Sequence, residues 1–262
     1  MLRQFKAAKR LVLASLMAAG LSTGAVATVH AAGGGAELPS VDWSFSGPFG
    51  TYDRAQLQRG YKVYKEVCAS CHSLKQVTFR NLSQSGGPEF SEEQVKALAA
   101  EYEVEDGPDA DGEMFMRPAI PSDRFVSPFP NENAARASNA GALPPDLSLM
   151  AKARKNGPNY IYALLTGYHE APAGVELADG MSYNPYFPGG QIAMAQPIDD
   201  EFVEYDDDTP PTLDNYAKDV TAFLMWAAEP KLEDRHNLGF RVVIFLLIFS
   251  GLLYATKRKV WA

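Results

Sequence analysis

Every cysteine in the chain lies in one short stretch, "VCASCHSLK", residues 67–75. Cys68 and Cys71 are three apart and His72 follows at once. Several chemistries use thiols at this spacing. A disulfide closing so short a loop adds little stability. A structural zinc needs two more ligands, as a rule a second paired motif, and the remaining histidines, His30, His169 and His236, form no pair. A thioredoxin-like redox pair wants a βαβ frame around it. The flank here, "RAQLQRGYKVYKEV", has helical periodicity instead. Covalent haem attachment needs nothing beyond what is present. The two thiols add across the vinyl groups of the macrocycle, and the adjacent imidazole reaches the iron. The pattern therefore points to Cys68 and Cys71 as attachment residues and to His72 as an axial iron ligand.

An iron that carries electrons needs a second axial ligand. Of eight methionines, Met1 and Met17 lie near the N-terminus, and Met150 and Met225 sit in apolar helical runs and read as core. Met114 and Met116 stand in an acid-rich loop close to the motif. Met181 and Met194 remain. Met194 lies in "NPYFPGGQIAMAQPI", a stretch too rich in Pro and Gly for helix and able to present a thioether to a flat ring. A methionine can equally fill a gap in a core. Spacing alone leaves Met194 and His169 both open as the sixth ligand.

The elements that must position these groups are helical. Gly60, Tyr64 and Cys68 are at i, i+4 and i+8 and share one face. A glycine on that face lets a second helix approach. The candidate partner is residues 212–228, "TLDNYAKDVTAFLMWAA". Thr212 can cap it and Asp214 suits its first turn. Leu213, Tyr216, Ala217, Val220, Phe223 and Leu224 make its apolar stripe. First and last helices crossed beside a C-x-x-C-H resemble the framework of class I c-type cytochromes.

The ends of the chain set the compartment. Arg3, Lys6, Lys9 and Arg10 precede an apolar stretch that ends in small residues, the layout of a secretory signal peptide cleaved near Ala31 or Ala32. At the other end residues 238–255, "LGFRVVIFLLIFSGLLYA", are interrupted only by Arg241. Eighteen helical residues span about 27 Å, close to the hydrocarbon thickness of a bilayer. Lys257, Arg258 and Lys259 follow, which places this end in the cytoplasm, with Trp261 at the interface. The full chain has formal charge −8; without residues 1–32, which carry four bases and no acid, it is −12, and without Arg241 and the Lys257–Arg258–Lys259 cluster it is −16. An exported domain this acidic is no partner for nucleic acid and suits a basic protein.

Longer strings are more specific than the haem motif. They are "CASCHS" at 68–73, "DGPDADGEMFMRPA" at 106–119, "NAGALPPDLS" at 139–148, "YALLTGY" at 162–168, "NPYFPGGQIAMAQP" at 184–197 and "AKDVTAFLMWAAEP" at 217–230. On these the chain resembles the cytochrome c1 family, the haem subunits of cytochrome bc1 complexes, from about Trp43 to Trp261. The resemblance implies that Met194, in "FPGxxIxM", is the second axial ligand. It implies that Arg154, in "ARxxG", meets a haem propionate, where a guanidinium can fork onto a carboxylate, and that Tyr160 lies in the haem environment. It also implies one covalent haem c per chain. Cytochrome b and a Rieske iron–sulfur protein would be partners, and a basic soluble or tethered c-type cytochrome the electron acceptor. Some bacterial relatives carry an extra cysteine pair; here there is none, so packing is expected to hold the Met194 loop.

The expected fold is mainly α: a class I c-type cytochrome haem domain with long loops, plus one C-terminal transmembrane helix. The expected organisation is a signal peptide at 1–32, a linker at 33–53, the exported haem domain at 54–236, a transmembrane helix at 238–256 and a cytoplasmic tail at 257–262. Ser91 and Gln94 form a capping box for a short helix. Residues 101–113 read as an acid-rich loop, a solvated face rather than a calcium site, and a second acidic run occupies 199–208. The expected role is electron transfer without bond chemistry of its own, in a quinol–cytochrome c reductase of the bacterial inner membrane, with the haem domain on the periplasmic side. The rivals are a free-standing anchored cytochrome shuttle, and a haem peroxidase or gas sensor with an open iron position.

Overall fold

The computed structural model describes residues 36–261. The expected signal peptide, residues 1–32, lies outside the described residues. Among the described residues the first helix, α1 (Arg54–Glu66), starts at Asp53, whose carboxylate accepts from the Gln56 N–H at 3.0 Å. It leads straight into a single 3-10 turn, Cys68–Ser70. Helix α2 (Glu92–Ala100) carries the expected capping box: Ser91 accepts from the Gln94 N–H at 3.2 Å, and Gln94 accepts from the Ser91 N–H at 2.9 Å. Helices α3 (Glu132–Ser138), α4 (Met150–Ala153) and α5 (Gly157–Thr166) follow, then α6 (Leu213–Ala228), capped by Thr212.

Helices α1 and α6 cross at Gly60. A Cβ there would stand 2.0 Å from the Asp219 carbonyl oxygen and 2.8 Å from the Phe223 Cβ, so only glycine permits the approach. Around the crossing Leu57, Val63, Tyr64, Tyr216, Val220 and Phe223 are buried, and the Phe223 ring lies 5.7 Å from both Tyr61 and Tyr64. The apolar stripe expected on α6 is present but too narrow a description. Thr221, Ala222, Trp226 and Ala227 are buried as well, because α4 and α5 pack on the side that α1 leaves open. Asp219 is also inside, 3 % exposed. It is paired with the Arg59 guanidinium at 2.8 Å and accepts from the Tyr205 hydroxyl at 2.7 Å and Gln56 at 3.1 Å, which is how a buried charge is tolerated.

The acid-rich segment is partly a hairpin rather than a loop. Strands β1 (Glu103–Asp106) and β2 (Phe115–Pro118) pair antiparallel, with Val104 opposite Arg117. Several of its acids are structural. Asp109 accepts from the N–H groups of Asp111 at 2.9 Å and Glu113 at 3.0 Å and shapes the turn, and Arg117 is held between Asp106 and Asp123. A second short pair, β3 (Ser182–Tyr183) and β4 (Gln191–Ile192), closes the loop that leads to Met194.

Two elements extend past the segments in which they were expected. The span read as a linker to residue 53 contributes Trp43, Phe45 and Tyr52 to the core, with the Trp43 indole donating to the buried Asn159 at 2.7 Å. Among the described residues the buried core therefore begins at Trp43. The last helix, α7 (Leu232–Val260), is one continuous rod of 29 residues that runs through the expected boundary at 236 and into the expected tail. Its first residue, Leu232, is 3 % exposed and belongs to the core. Its mean hydropathy of 2.2 over 18 residues makes it long and apolar enough to cross a membrane.

Candidate haem-binding site

Helix α1 ends because Val67 and Cys68 turn the chain tightly. The N–H groups of Cys71 and His72 both donate to the Cys68 carbonyl, at 3.2 and 2.8 Å. The winding keeps both thiols and the imidazole on one short turn. Cys68 and Cys71 are free and half-buried. Burial, and then the neighbouring Cys71, push the Cys68 thiol up to about 12. An apolar setting of this kind keeps the thiol neutral and suits the uncharged sulfur of a thioether. Among the described residues no group of three or more His, Cys, Asp or Glu could hold a free metal ion.

His72 is oriented for one task. Its Nδ1 lies 2.8 Å from the Pro145 carbonyl. A carbonyl can only accept, so Nδ1 carries the proton and the Nε2 lone pair is left for a metal, the usual second-sphere arrangement of a ligating histidine. Burial lowers the imidazole pKa against the opposing pull of that hydrogen bond and of Asp146, which keeps the neutral, ligating form. The Tyr64 hydroxyl, one turn up the Gly60 face, donates to the His72 carbonyl at 3.2 Å.

The Pro145 carbonyl is itself held in place by Asp146. One Asp146 oxygen accepts from the Ser73 hydroxyl at 2.8 Å and the Lys75 N–H at 2.9 Å; the other accepts from the Ser148 N–H at 2.9 Å. The Leu147 N–H adds a bond to the Ser73 carbonyl at 2.9 Å. Burial opposes the Asp146 carboxylate, but the donors from Lys75, Ser148 and Ser73 outweigh it and hold it below the usual carboxylate range. Sequence reasoning missed this clamp. Its local half, an Asp accepting from the N–H two residues on, is a readable turn signal; its reach back to Ser73 and Lys75 is not.

Met194 sits two residues past β4 and is half-buried. Its carbonyl accepts from the Tyr168 hydroxyl at 3.0 Å, just beyond the end of α5. Buried Asn184 ties the same loop to α5, donating to the Leu164 carbonyl at 2.8 Å and accepting from the Tyr186 N–H at 3.1 Å. The loop is thus tied to α5 and to the residue just beyond it by hydrogen bonds as well as by packing. Tyr160, on α5, is near enough to Tyr168 to add to the rise that burial causes in the Tyr168 pKa. Arg154, in the break between α4 and α5, is exposed, and among the described residues its side chain makes no hydrogen bond or ion pair. The structure thus groups Cys68, Cys71 and His72 on one turn, while Arg154 precedes α5, Tyr160 lies on it and Met194 is tied to Tyr168 just beyond its end. The rival His169 places Nδ1 2.9 Å from the Gly167 carbonyl and packs edge-on to Tyr183.

These residues fit a c-type haem: two free thiols on one turn, an imidazole with only Nε2 free, a soft sulfur on a pinned loop and a guanidinium without a counter-ion among the described residues. The sequence matches the family model described as "Cytochrome C1 family" over residues 43–262, which starts at the first core residue, Trp43. The chain is 46 % identical to cytochrome c1 of Rhodospirillum rubrum, with 96 % of this chain and 97 % of that protein aligned. It is 52 % identical to a mitochondrial cytochrome c1 heme protein of Solanum tuberosum, over 89 % of this chain and 88 % of the other. It is 50 % identical to a cytochrome b/c1 of Bradyrhizobium diazoefficiens over 98 % of this chain, which spans 40 % of that longer protein. A match over nearly all of the described chain, on top of that donor set, means that the chain belongs to the cytochrome c1 family, the haem-carrying electron-transfer subunits of the bc1 complex.

Proposed function

We propose that the chain carries one haem c, bound through thioethers at Cys68 and Cys71, with His72 Nε2 and the Met194 sulfur as axial ligands. Arg154 and Tyr160 take the propionate side. The observation that carries this reading is the His72 ring, fixed through Nδ1 by the Asp146-clamped Pro145 carbonyl and standing one residue from a free thiol. The haem supplies a reversible one-electron couple; the chain supplies ligands, dryness and placement. A thioether opposite imidazole raises the potential, which suits acceptance from a Rieske iron–sulfur protein and donation to a c-type cytochrome.

The subunit works beside cytochrome b in the inner membrane of a bacterium, with its haem domain on the periplasmic side and its C-terminus in the cytoplasm. The basic cluster at residues 257–259 after the apolar span supports this sidedness. The acceptor is a basic carrier. Of the acidic run at 199–208, Asp206 and Asp207 are engaged by Lys62 and Arg59 at 2.9 Å and Asp200 caps the Leu213 N–H at 2.7 Å, while Asp199, Glu201, Glu204 and Asp208 have no cationic partner among the described residues.

The test is Met194→Leu. Leucine nearly conserves volume, so the fold should lose less than about 1.5 kcal/mol and keep its haem. The reduction potential should fall sharply, and reduced protein should now bind CO, read as a shift of its Soret band. A variant with unchanged potential that still excludes CO removes Met194 from the ligand set and makes Met181 and His169 the next positions to change.

A further inference from the structure

We propose that the turn carrying Phe49 is a second membrane contact, a fixed aromatic wedge that seats the haem domain on the lipid headgroup boundary beside its transmembrane helix. This rests on the reading of α7 as a membrane span.

The turn is built to be rigid. The Ser46 N–H donates to the Trp43 carbonyl at 2.9 Å and the Thr51 N–H to the Ser44 carbonyl at 3.0 Å. Gly47 has a left-handed φ of +77°. At Gly50 a Cβ would meet the Phe45 carbonyl carbon at 2.2 Å, so the chain can close there only on glycine. The base of the turn is buried: Trp43 stacks on Phe45 at 5.4 Å, and Phe45 lies 5.4 Å from Tyr52. Only the tip is apolar and outside, with Phe49 75 % exposed.

The turn is also locked to α7. The His236 ring lies 3.0 Å from the Gly50 carbonyl, and Glu233 accepts from the Tyr52 N–H at 2.8 Å. Arg54 grips both oxygens of Glu233, at 2.6 and 2.8 Å. The Phe49 ring then meets Phe240 edge-on at 5.9 Å between centroids.

Phe240 fixes the depth. Residues 238–255 form the apolar span and Trp261 closes its far end. The 18 residues of that span cover about 27 Å of helix, close to the hydrocarbon thickness of about 30 Å. Phe240 stands two residues inside its upstream end, about 3 Å along the helix, at the boundary between headgroups and acyl chains, with Phe49 beside it. An exposed phenyl ring at that level can bury itself at the boundary of headgroups and acyl chains, as the apolar side chains of interfacial elements do. Phe49 thus extends the lipid-facing surface sideways from the single helix. With two points of contact the haem domain cannot swing freely about its stalk.

The test replaces Phe49 with the photo-cross-linker p-benzoylphenylalanine in the full-length haem-loaded chain, in native membranes. Leu247 and Leu252, 69 % and 63 % exposed on α7, carry the same label as span controls, and Phe202, 61 % exposed in the acidic run, as an aqueous control. The readout is phospholipid adducts by mass spectrometry. The proposal expects adducts at position 49 at a level comparable to the span positions and none at 202. Adducts at 247 or 252 without any at 49 overturn the wedge and leave the span intact. A predominantly protein adduct at 49 means that a partner subunit covers the turn, and also overturns it. No lipid adduct at 247, 252 or 49 refutes the span and the wedge together.

Discussion

Gly60→Ala decides whether the crossing of α1 and α6 is as close as described. Two effects of opposite sign compete. Alanine in a helix interior is favoured over glycine by about 1 kcal/mol, so an unobstructed site would be stabilised. Here the new Cβ would stand 2.0 Å from the Asp219 carbonyl oxygen and 2.6 Å from its carbon. Ordinary contact begins near 3.4 Å, so the separation must grow by about 1.4 Å, and the obstructing atoms are backbone that cannot rotate away. A gap of even 0.5–1 Å forfeits roughly a quarter to a half of each dispersion contact it opens. Leu57, Tyr61 and Tyr64 face that loss, and so does the Arg59–Asp219 pair. Overpacking of this kind costs about 3 kcal/mol or somewhat more. After the helix-propensity gain the net is destabilisation by about 2–3 kcal/mol, or a Tm lower by about 4–12 °C in a domain of this size. Thermal and urea unfolding of the haem-loaded chain, followed by far-ultraviolet circular dichroism, measures it. An unchanged or higher Tm would falsify the close crossing.

Two further outcomes concern the base of α7. Glu233 is held below the usual carboxylate range chiefly by the Arg54 hydrogen bonds, with burial opposing and the Tyr52 N–H assisting. A depressed carboxylate stabilises above its unfolded pKa, about 4.3, and that contribution is lost as pH falls through its lower folded value. Glu233→Gln should therefore lower the unfolding free energy at pH 7 by about 1–2 kcal/mol, with the gap to the parent narrowing below pH 4; a gap independent of pH would refute the charge pairing. Ending the chain after Asn237 should give a soluble haem domain with an unchanged spectrum, whereas ending it after Pro230 removes the buried Leu232 and should cost about 2–5 kcal/mol. Equal urea midpoints for the two truncations would show that Leu232 packs no differently from the stalk beyond it.

The legible part of this molecule is what is local. The C-x-x-C-H turn, the Ser91–Gln94 box, the Thr212 cap and the α6 stripe each involve residues within a few positions of one another, so their spacing carries their geometry. Gly60 was legible for a different reason: a glycine on the buried face of an otherwise good helix has few uses besides close approach. The misread segments fail in a common way. Residues 43–52 look like a linker because Gly, Pro and Ser dominate, yet three aromatics there are enough to build a wall of the core once Asn159 satisfies the Trp43 indole. The acids at 103–113 look like a solvated loop because nothing in their own window says that Arg117 and Asp109 will tie them into a hairpin.

The haem site shows the same division within a few ångströms. The sequence names the groups that would touch the haem but not the atoms that aim them. His72 is readable because it follows Cys71; the acceptor on its Nδ1 is a backbone carbonyl 73 residues away, and no side-chain type announces a carbonyl. Asp146, which fixes that carbonyl, is marked in sequence only by the Asx turn to Ser148. Met194 is similar: its sulfur is a property of residue type, whereas its placement comes from Tyr168, just beyond α5, and Asn184, in the loop itself, polar groups that bond to backbone. Side-chain-to-backbone bonds of long sequence separation carry no pairing code, because every residue offers a carbonyl. The identity of a cofactor site is therefore written in its ligands, and its geometry in neighbours that only the folded chain brings together.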